Sequence, residues 1–178
     1  MLTLAFDTTA EFGSIALANE HGVTQETLVH APHGFGQVLF PRIQALLEAQ
    51  SVSLRDVALF AAASGPGSFT GVRVGLAAVK GLASVLGAPA AAVSNLAALA
   101  EFGSGPLRAV IIDARRGEVY AALYGPSAEP LIPESVLSFP RFLERLPEAL
   151  ERYSARQEVE WISTDFTPFR AALAGTRF

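Results

Sequence analysis

Along the chain, short apolar runs come first and a helical rhythm follows. Leu2-Thr3-Leu4-Ala5-Phe6-Asp7, Gly13 to Ala18 and Val23 to Val29 are three apolar runs separated by polar turns, the second turn spanning Asn19 to Gly22. They predict three short strands joined tightly. From Phe35 the apolar positions become Phe35, Leu39, Ile43, Leu46 and Leu47, with Arg42, Gln44 and Glu48 on the other side. That spacing predicts an amphipathic helix with Pro41 in its first turns. Val57 to Ala63 is an unbroken apolar run of strand length and predicts a strand buried on both faces. Gly65-Pro66-Gly67 then turns the chain into a helix from Ser68 to Leu86, with a strand at Ala90 to Val93 and a short helix from Ser94 after it. The order is β-β-β-α-β-α-β-α.

After Gly103-Ser104-Gly105-Pro106 the opening pattern returns. Ala109-Val110-Ile111-Ile112-Asp113 is a strand ending in Asp, Gly117 lies in the turn, and Val119 to Leu123 is the next strand. Leu4 to Asp7, a turn, Gly13 and then Ser14 to Ala18 read the same way. A repeat of this kind predicts two related α/β lobes, residues 1–105 and 106–178. The second is shorter, so it is expected to be a trimmed copy or to lack its usual tail.

Composition narrows the picture. With 178 residues, 51% hydrophobic and 17% charged, the chain can build its cores without covalent staples. Thirteen basic residues against seventeen acidic give a net charge of -4, which supplies no basic face able to hold nucleic acid alone. Cysteine is absent, which excludes disulfides, cysteine nucleophiles and cysteine-ligated zinc. The N-terminal run lacks a basic flank and ends at Asp7, so no secretory signal is expected and the protein is expected in the cytoplasm. Gly81 to Ala100 is uncharged and long enough for a membrane helix, but Gly87-Ala88-Pro89 breaks it. It reads as helix, strand and helix, and no membrane contact is expected.

The densest chemical signal is Gly65-Pro66-Gly67-Ser68-Phe69-Thr70-Gly71-Val72-Arg73-Val74-Gly75, a glycine-rich turn between a strand and a helix. Such a turn can offer backbone N–H groups to a phosphate. It matches neither a P-loop, where Lys would follow the second glycine, nor a dinucleotide fingerprint, whose glycine spacing differs. Packing is the competing account. Gly65 and Gly67 would permit the turn, Ser68 or Thr70 would cap the helix, and Gly71 and Gly75 would let a neighbour approach closely. Arg73 and Lys80 read as a solvated face. Asp7 and Asp113, each at a strand end, suit either metal and phosphate contact or a turn-capping role. His30 and His33 lack a third ligand, and Pro32 keeps them off one helical face. No G-x-S-x-G occurs, so a serine hydrolase is unsupported, and a peptidase finds no nucleophile and base.

Ser64 to Gly75 and Ile112-Asp113-Ala114-Arg115-Arg116-Gly117-Glu118-Val119-Tyr120 resemble the two hallmark motifs of the TsaB (YeaZ) family. Leu4-Ala5-Phe6-Asp7-Thr8-Thr9 and the helix with Gln37, Leu39 and Pro41 also match its pattern, and the likeness fades beyond Gly125. The resemblance implies an ASKHA (actin-like ATPase) fold of two duplicated α/β lobes with mixed sheets. It also implies a non-catalytic subunit of the machinery that forms N6-threonylcarbamoyladenosine at position 37 of tRNAs reading codons that begin with A. In that machinery a TsaD-like subunit holds the metal and performs the transfer, with a TsaE-like ATPase alongside. TsaD-type proteins carry a His-x-x-x-His metal pair on the first-lobe helix, and Phe35 to Leu39 contains no histidine. The chain is therefore expected to have no catalytic residue, metal or cofactor of its own, with ATP or ADP and a divalent metal belonging to the complex. Contact with tRNA is expected only through that complex. Asp7, Gly67, Ser68 and Asp113 are the candidates for a nucleotide or phosphate contact. Phe35, Leu39, Gly71, Arg73, Gly75, Ala78 and Leu82 are expected to form the partner surface, which a homodimer would use when TsaD is missing. The alternative is a small ASKHA-fold enzyme that hydrolyses or transfers a nucleotide phosphate.

Overall fold

A computed structural model describes residues 1–152 and 158–175. The chain divides into two compact units, Met1–Asn95 and Leu96–Phe178. The division falls upstream of the Gly103 to Pro106 punctuation.

The first unit is a five-stranded mixed sheet in the order β3-β2-β1-β4-β5. Its strands are β1 (Thr3–Asp7), β2 (Phe12–Asn19), β3 (Gly22–His30), β4 (Leu59–Ala63) and β5 (Ala90–Val93). β1 to β3 form an antiparallel meander, and β4 runs parallel to β1 with Leu4 opposite Phe60. Alternation along β1 and β2 sends Leu4, Phe6, Ile15 and Leu17 to one face. There they meet Leu39, Ile43, Leu46 and Leu47 of α1 (Leu39–Ala49) and Ala78, Val79 and Ala83 of α2 (Phe69–Leu86). Both long helices thus cover the same side of this sheet. Phe60, Ala61 and Ala62 are all buried, as the unbroken apolar run of β4 predicts.

α1 starts later than its apolar spacing suggests. Gly34 takes φ 86° and turns the chain, Phe35 is buried ahead of the helix, and its carbonyl accepts the Leu39 N–H at 3.0 Å. Pro41 then falls within the first turn, where a missing N–H breaks no helical bond. α2 begins where expected, with Ser68 as its N-cap accepting from Gly71 N–H at 3.3 Å.

The second unit repeats the plan with a four-stranded sheet in the order β8-β7-β6-β9. β6 (Arg108–Arg115), β7 (Glu118–Tyr124) and β8 (Pro130–Ser138) form the meander, and β9 (Glu160–Ile162) runs parallel to β6. β9 takes the place that β4 has beside β1, so the repeat read around Asp7 and Asp113 is a repeat of topology. Leu107, Ile111 and Leu123 pack against Phe142 and Leu146 of α4 (Phe139–Arg152). On the other face Val110, Ala122 and Tyr124 meet Leu96 and Ala100 of α3 (Asn95–Ala100), which places α3 from Leu96 onward with the second unit. Arg108 is buried and donates from Nη1 to the Ala100 carbonyl (3.1 Å) and from Nη2 to the Gly125 carbonyl (2.6 Å), tying the end of α3 to its own strand. α5 (Arg170–Leu173) closes the described chain.

Candidate functional site

At the end of β1 the chain makes a tight polar turn. Asp7 Oδ1 accepts from Thr9 N–H (2.7 Å) and Thr9 Oγ1 (2.6 Å). Thr8 and Thr9 are buried polar residues, and each is satisfied. Thr8 Oγ1 donates to the Gly71 carbonyl (2.7 Å), the Ser68 N–H donates to the Thr9 carbonyl (2.6 Å), and Asn95 Nδ2 reaches Thr9 Oγ1 (2.7 Å) and the Pro66 carbonyl (3.1 Å). The glycine-rich segment is therefore bound to the strand-end turn of its own lobe.

Close approach explains its glycines. A Cβ on Gly67 would stand 2.5 Å from the Thr9 carbonyl oxygen, one on Gly71 would overlap the Thr8 carbonyl oxygen, and one on Gly75 would come within 2.6 Å of Thr8 Oγ1. Thr8 sits in a groove that Gly71 and Gly75 open in α2. Of the two accounts of this motif, packing fits the geometry. Three polar groups of the segment are engaged inside the chain: Ser68 N–H on the Thr9 carbonyl, Ser68 Oγ on Gly71 N–H and Asp7 Oδ1 on Thr9.

Asp7, Gly67 and Ser68 are thus brought together in the first unit, and Asp113 belongs to the second. Asp113 repeats the local device of Asp7, its Oδ1 accepting from Arg115 N–H at 2.8 Å. His30 Nε2 lies 2.6 Å from Glu11 Oε1 and its ring stacks on Phe12 at 4.3 Å. Among the described residues no group of three His, Cys, Asp or Glu is placed to hold a metal ion.

The expected partner surface needs correction. Phe35, Leu39, Gly71, Gly75 and Ala78 are buried within the first unit, because the small stripe of α2 faces its own sheet rather than solvent. Arg73 remains exposed and Leu82 half-buried. The outward stripe of α2 lies on the other side of the helix, through Phe69, Arg73, Ala77, Gly81 and Val85. Phe69 is 69% and Val85 85% exposed, the Arg73 guanidinium lies over the Phe69 ring at 3.6 Å, and a Cβ on Gly81 would meet open space. Composition of α2 left its rotation open, since glycine and alanine occupy both faces. Thr8 and Asn95 were also not singled out from sequence, although an Asp followed by two Thr, and an Asn at a helix start, are the residue types that bond to nearby backbone.

A family model described as tRNA N6-adenosine threonylcarbamoyltransferase (TsaD) matches residues 29–174. The chain is 35% identical over 153 residues to the tRNA threonylcarbamoyladenosine biosynthesis protein TsaB of Bacillus subtilis, covering 83% of this chain and 67% of that protein. Against the Escherichia coli protein of the same name the identity is 39% over 128 residues, covering 70% of this chain and 55% of the relative. The solved structure of YeaZ from Pseudomonas aeruginosa superposes with a TM-score of 0.69 at 36% identity, over 76% of this chain and 67% of that one. The chain thus spans roughly half to two thirds of the length of the curated relatives it matches.

Proposed function

The chain belongs to the TsaB (YeaZ) family, and on that basis we propose that it serves in the formation of N6-threonylcarbamoyladenosine in tRNA as a non-catalytic partner of a TsaD-like transferase. The observation that carries the non-catalytic role is the closed turn at Asp7. Asp7 Oδ1 accepts from Thr9, the Thr8 hydroxyl donates to the Gly71 carbonyl and the Ser68 N–H donates to the Thr9 carbonyl, so these groups hold β1 onto α2 as a scaffold. Catalysis, metal and nucleotide fall to the complex, in the cytoplasm where tRNA is modified.

The partner docks on the outward stripe of α2. Phe69, Arg73, Ala77, Gly81 and Val85 follow one another at intervals of four, the row along which helices pack ridge into groove. Its middle is small and its ends are apolar, which lets a partner helix come close between two anchors. A homodimer of the free chain uses the same stripe.

Reconstitution tests the role. The isolated chain should yield no modified adenosine by nucleoside mass spectrometry, whereas addition of TsaD, TsaE and an activated threonylcarbamoyl donor should yield it. Modification by the chain alone would establish the small-enzyme alternative instead. Ala77→Glu tests the surface, because the residue is exposed and the fold should be unaffected. A charge buried unpaired at the interface costs several kcal/mol, so TsaD affinity should fall about 100-fold. A folded variant that co-elutes with TsaD at wild-type affinity would remove the stripe from the interface.

A further inference from the structure

The two lobes share one device and use it in opposite ways. In each, an Asp at or near the end of a strand accepts at Oδ1 the N–H two residues on, from Thr9 at 2.7 Å in the first lobe and from Arg115 at 2.8 Å in the second. In the first lobe the residues held this way are Thr8 and Thr9, both buried against α2. In the second, Ala114 is half-buried and Arg115 stands in solvent. Arg115 pairs with Glu118 across the hairpin, which leaves Arg116-Gly117 as a two-residue loop. Arg115, Arg116 and Gly117 take φ of 67°, 54° and 80°. Two consecutive left-handed residues make the tight turn that matches strand twist, and its first position favours Asn, Asp or Gly. An arginine there is strained by its Cβ, and its guanidinium has no partner among the described residues. Arg115 has an exposed side chain (87%) whose Nη1 lies 3.4 Å from Asp113 Oδ2. Strain kept at an exposed tip with no packing return is the mark of a contact made outside the chain.

Resting on the proposed role in tRNA modification, we propose that Arg115 and Arg116, at the β6–β7 hairpin tip, grip the phosphate backbone of the tRNA. Guanidinium forks match phosphate oxygens by shape, and a short hairpin fixes where the pair points. Asp113 and Glu118 sit at the strand ends behind the tip and balance its charge. Recognition here is thus short-ranged, in keeping with a chain of net charge -4. Two phosphate contacts position the RNA without reading its sequence.

The test uses the intact chain in its complex with TsaD, an unmodified tRNA transcript and fluorescence anisotropy from about 20 to 200 mM salt. Each lost phosphate contact lowers the slope of log affinity against log salt by about 0.7–0.9. The R115Q/R116N double variant should therefore have a slope shallower by about 1.5. Between about 50 and 200 mM salt the wild type should lose roughly tenfold more affinity than the variant does. Arg116→Asn installs a residue the turn prefers, so the fold should hold, and circular dichroism checks this. Arg55→Gln removes an exposed charge from the other unit and should leave the slope unchanged. An identical slope for the complexes of wild type and double variant overturns the proposal. A variant with unchanged tRNA binding that loses TsaD or TsaE on size exclusion would assign the pair to an acidic protein surface and overturn it equally. Docking of TsaD to wild-type chain is measured separately, so failure of the accessory role and failure of the hairpin contact are told apart.

Discussion

Ala77 and Ala78 are neighbours of identical chemistry with opposite fates. Ala78 is 7% exposed and faces the sheet, whereas Ala77 is exposed on α2. Ala78→Glu should leave the chain unfolded or melting far lower, since a carboxylate there is buried among Val79, Ala83 and the sheet with no partner. Ala77→Glu should melt like the wild type. Thermal denaturation of the pair reports the rotation of α2 directly, and equal melting would contradict the packing described. Gly71 makes the same point from the other side. Alanine is better than glycine in a helix by about 1 kcal/mol, but its Cβ would overlap the Thr8 carbonyl. Because that oxygen is backbone and cannot swing away, Gly71→Ala should cost about 1–3 kcal/mol by urea denaturation, the range for overpacking.

Strand and helix identities were readable from period and punctuation, and their partners were not. The alternation in β1 and β2, the apolar run of β4 and the glycine turn before α2 each mark one element with local chemistry. Which face of α2 turns inward depends on Thr8, distant in sequence, fitting between Gly71 and Gly75. A helix with small residues on both faces has no apolar stripe distinct enough to announce that. Edge strands show how lobes with one topology diverge. β3 and β8 are both nine residues long, occupy corresponding edges and carry one carboxylate each, Glu26 and Glu134, yet β8 carries Pro130 and Pro133 while β3 carries no proline. Proline and charge are what keep an edge from pairing with another chain, so β3 is the less protected of the two. Leu28 on β3 is 81% exposed. Leu28→Lys should lower light scattering in heated samples with little change in the melting midpoint; scattering equal to the wild type would show that this edge does not drive association.

At the scale of the whole molecule, the duplication was legible because Asp7 and Asp113 close strands of like sequence, and the topology around them repeats. What the turn after Asp7 does was not legible, since Asp-Thr-Thr beside a glycine-rich segment suits a phosphate as well as it suits a self-contained knot. Hydrogen-bond closure separates the two. With Ser68 N–H, Ser68 Oγ and Asp7 Oδ1 engaged inside the first lobe, a nucleotide that used those groups would have to break their bonds before gaining its own. The chain by itself is therefore expected to show no measurable affinity for Mg-ATP. Ligand linkage makes this a sharp test. A site with Kd about 10 μM would add about 2.7 kcal/mol at about 1 mM ATP, a hundredfold excess over Kd. For a chain of this size that corresponds to a rise in Tm of about 5 °C or more, well outside the scatter of a melting curve. We expect no shift, and no phosphate release by the chain alone. A rise of that size accompanied by turnover would open the Asp7 turn to nucleotide and restore the enzyme alternative. The same rise seen only when TsaD is present would instead place the nucleotide with the complex.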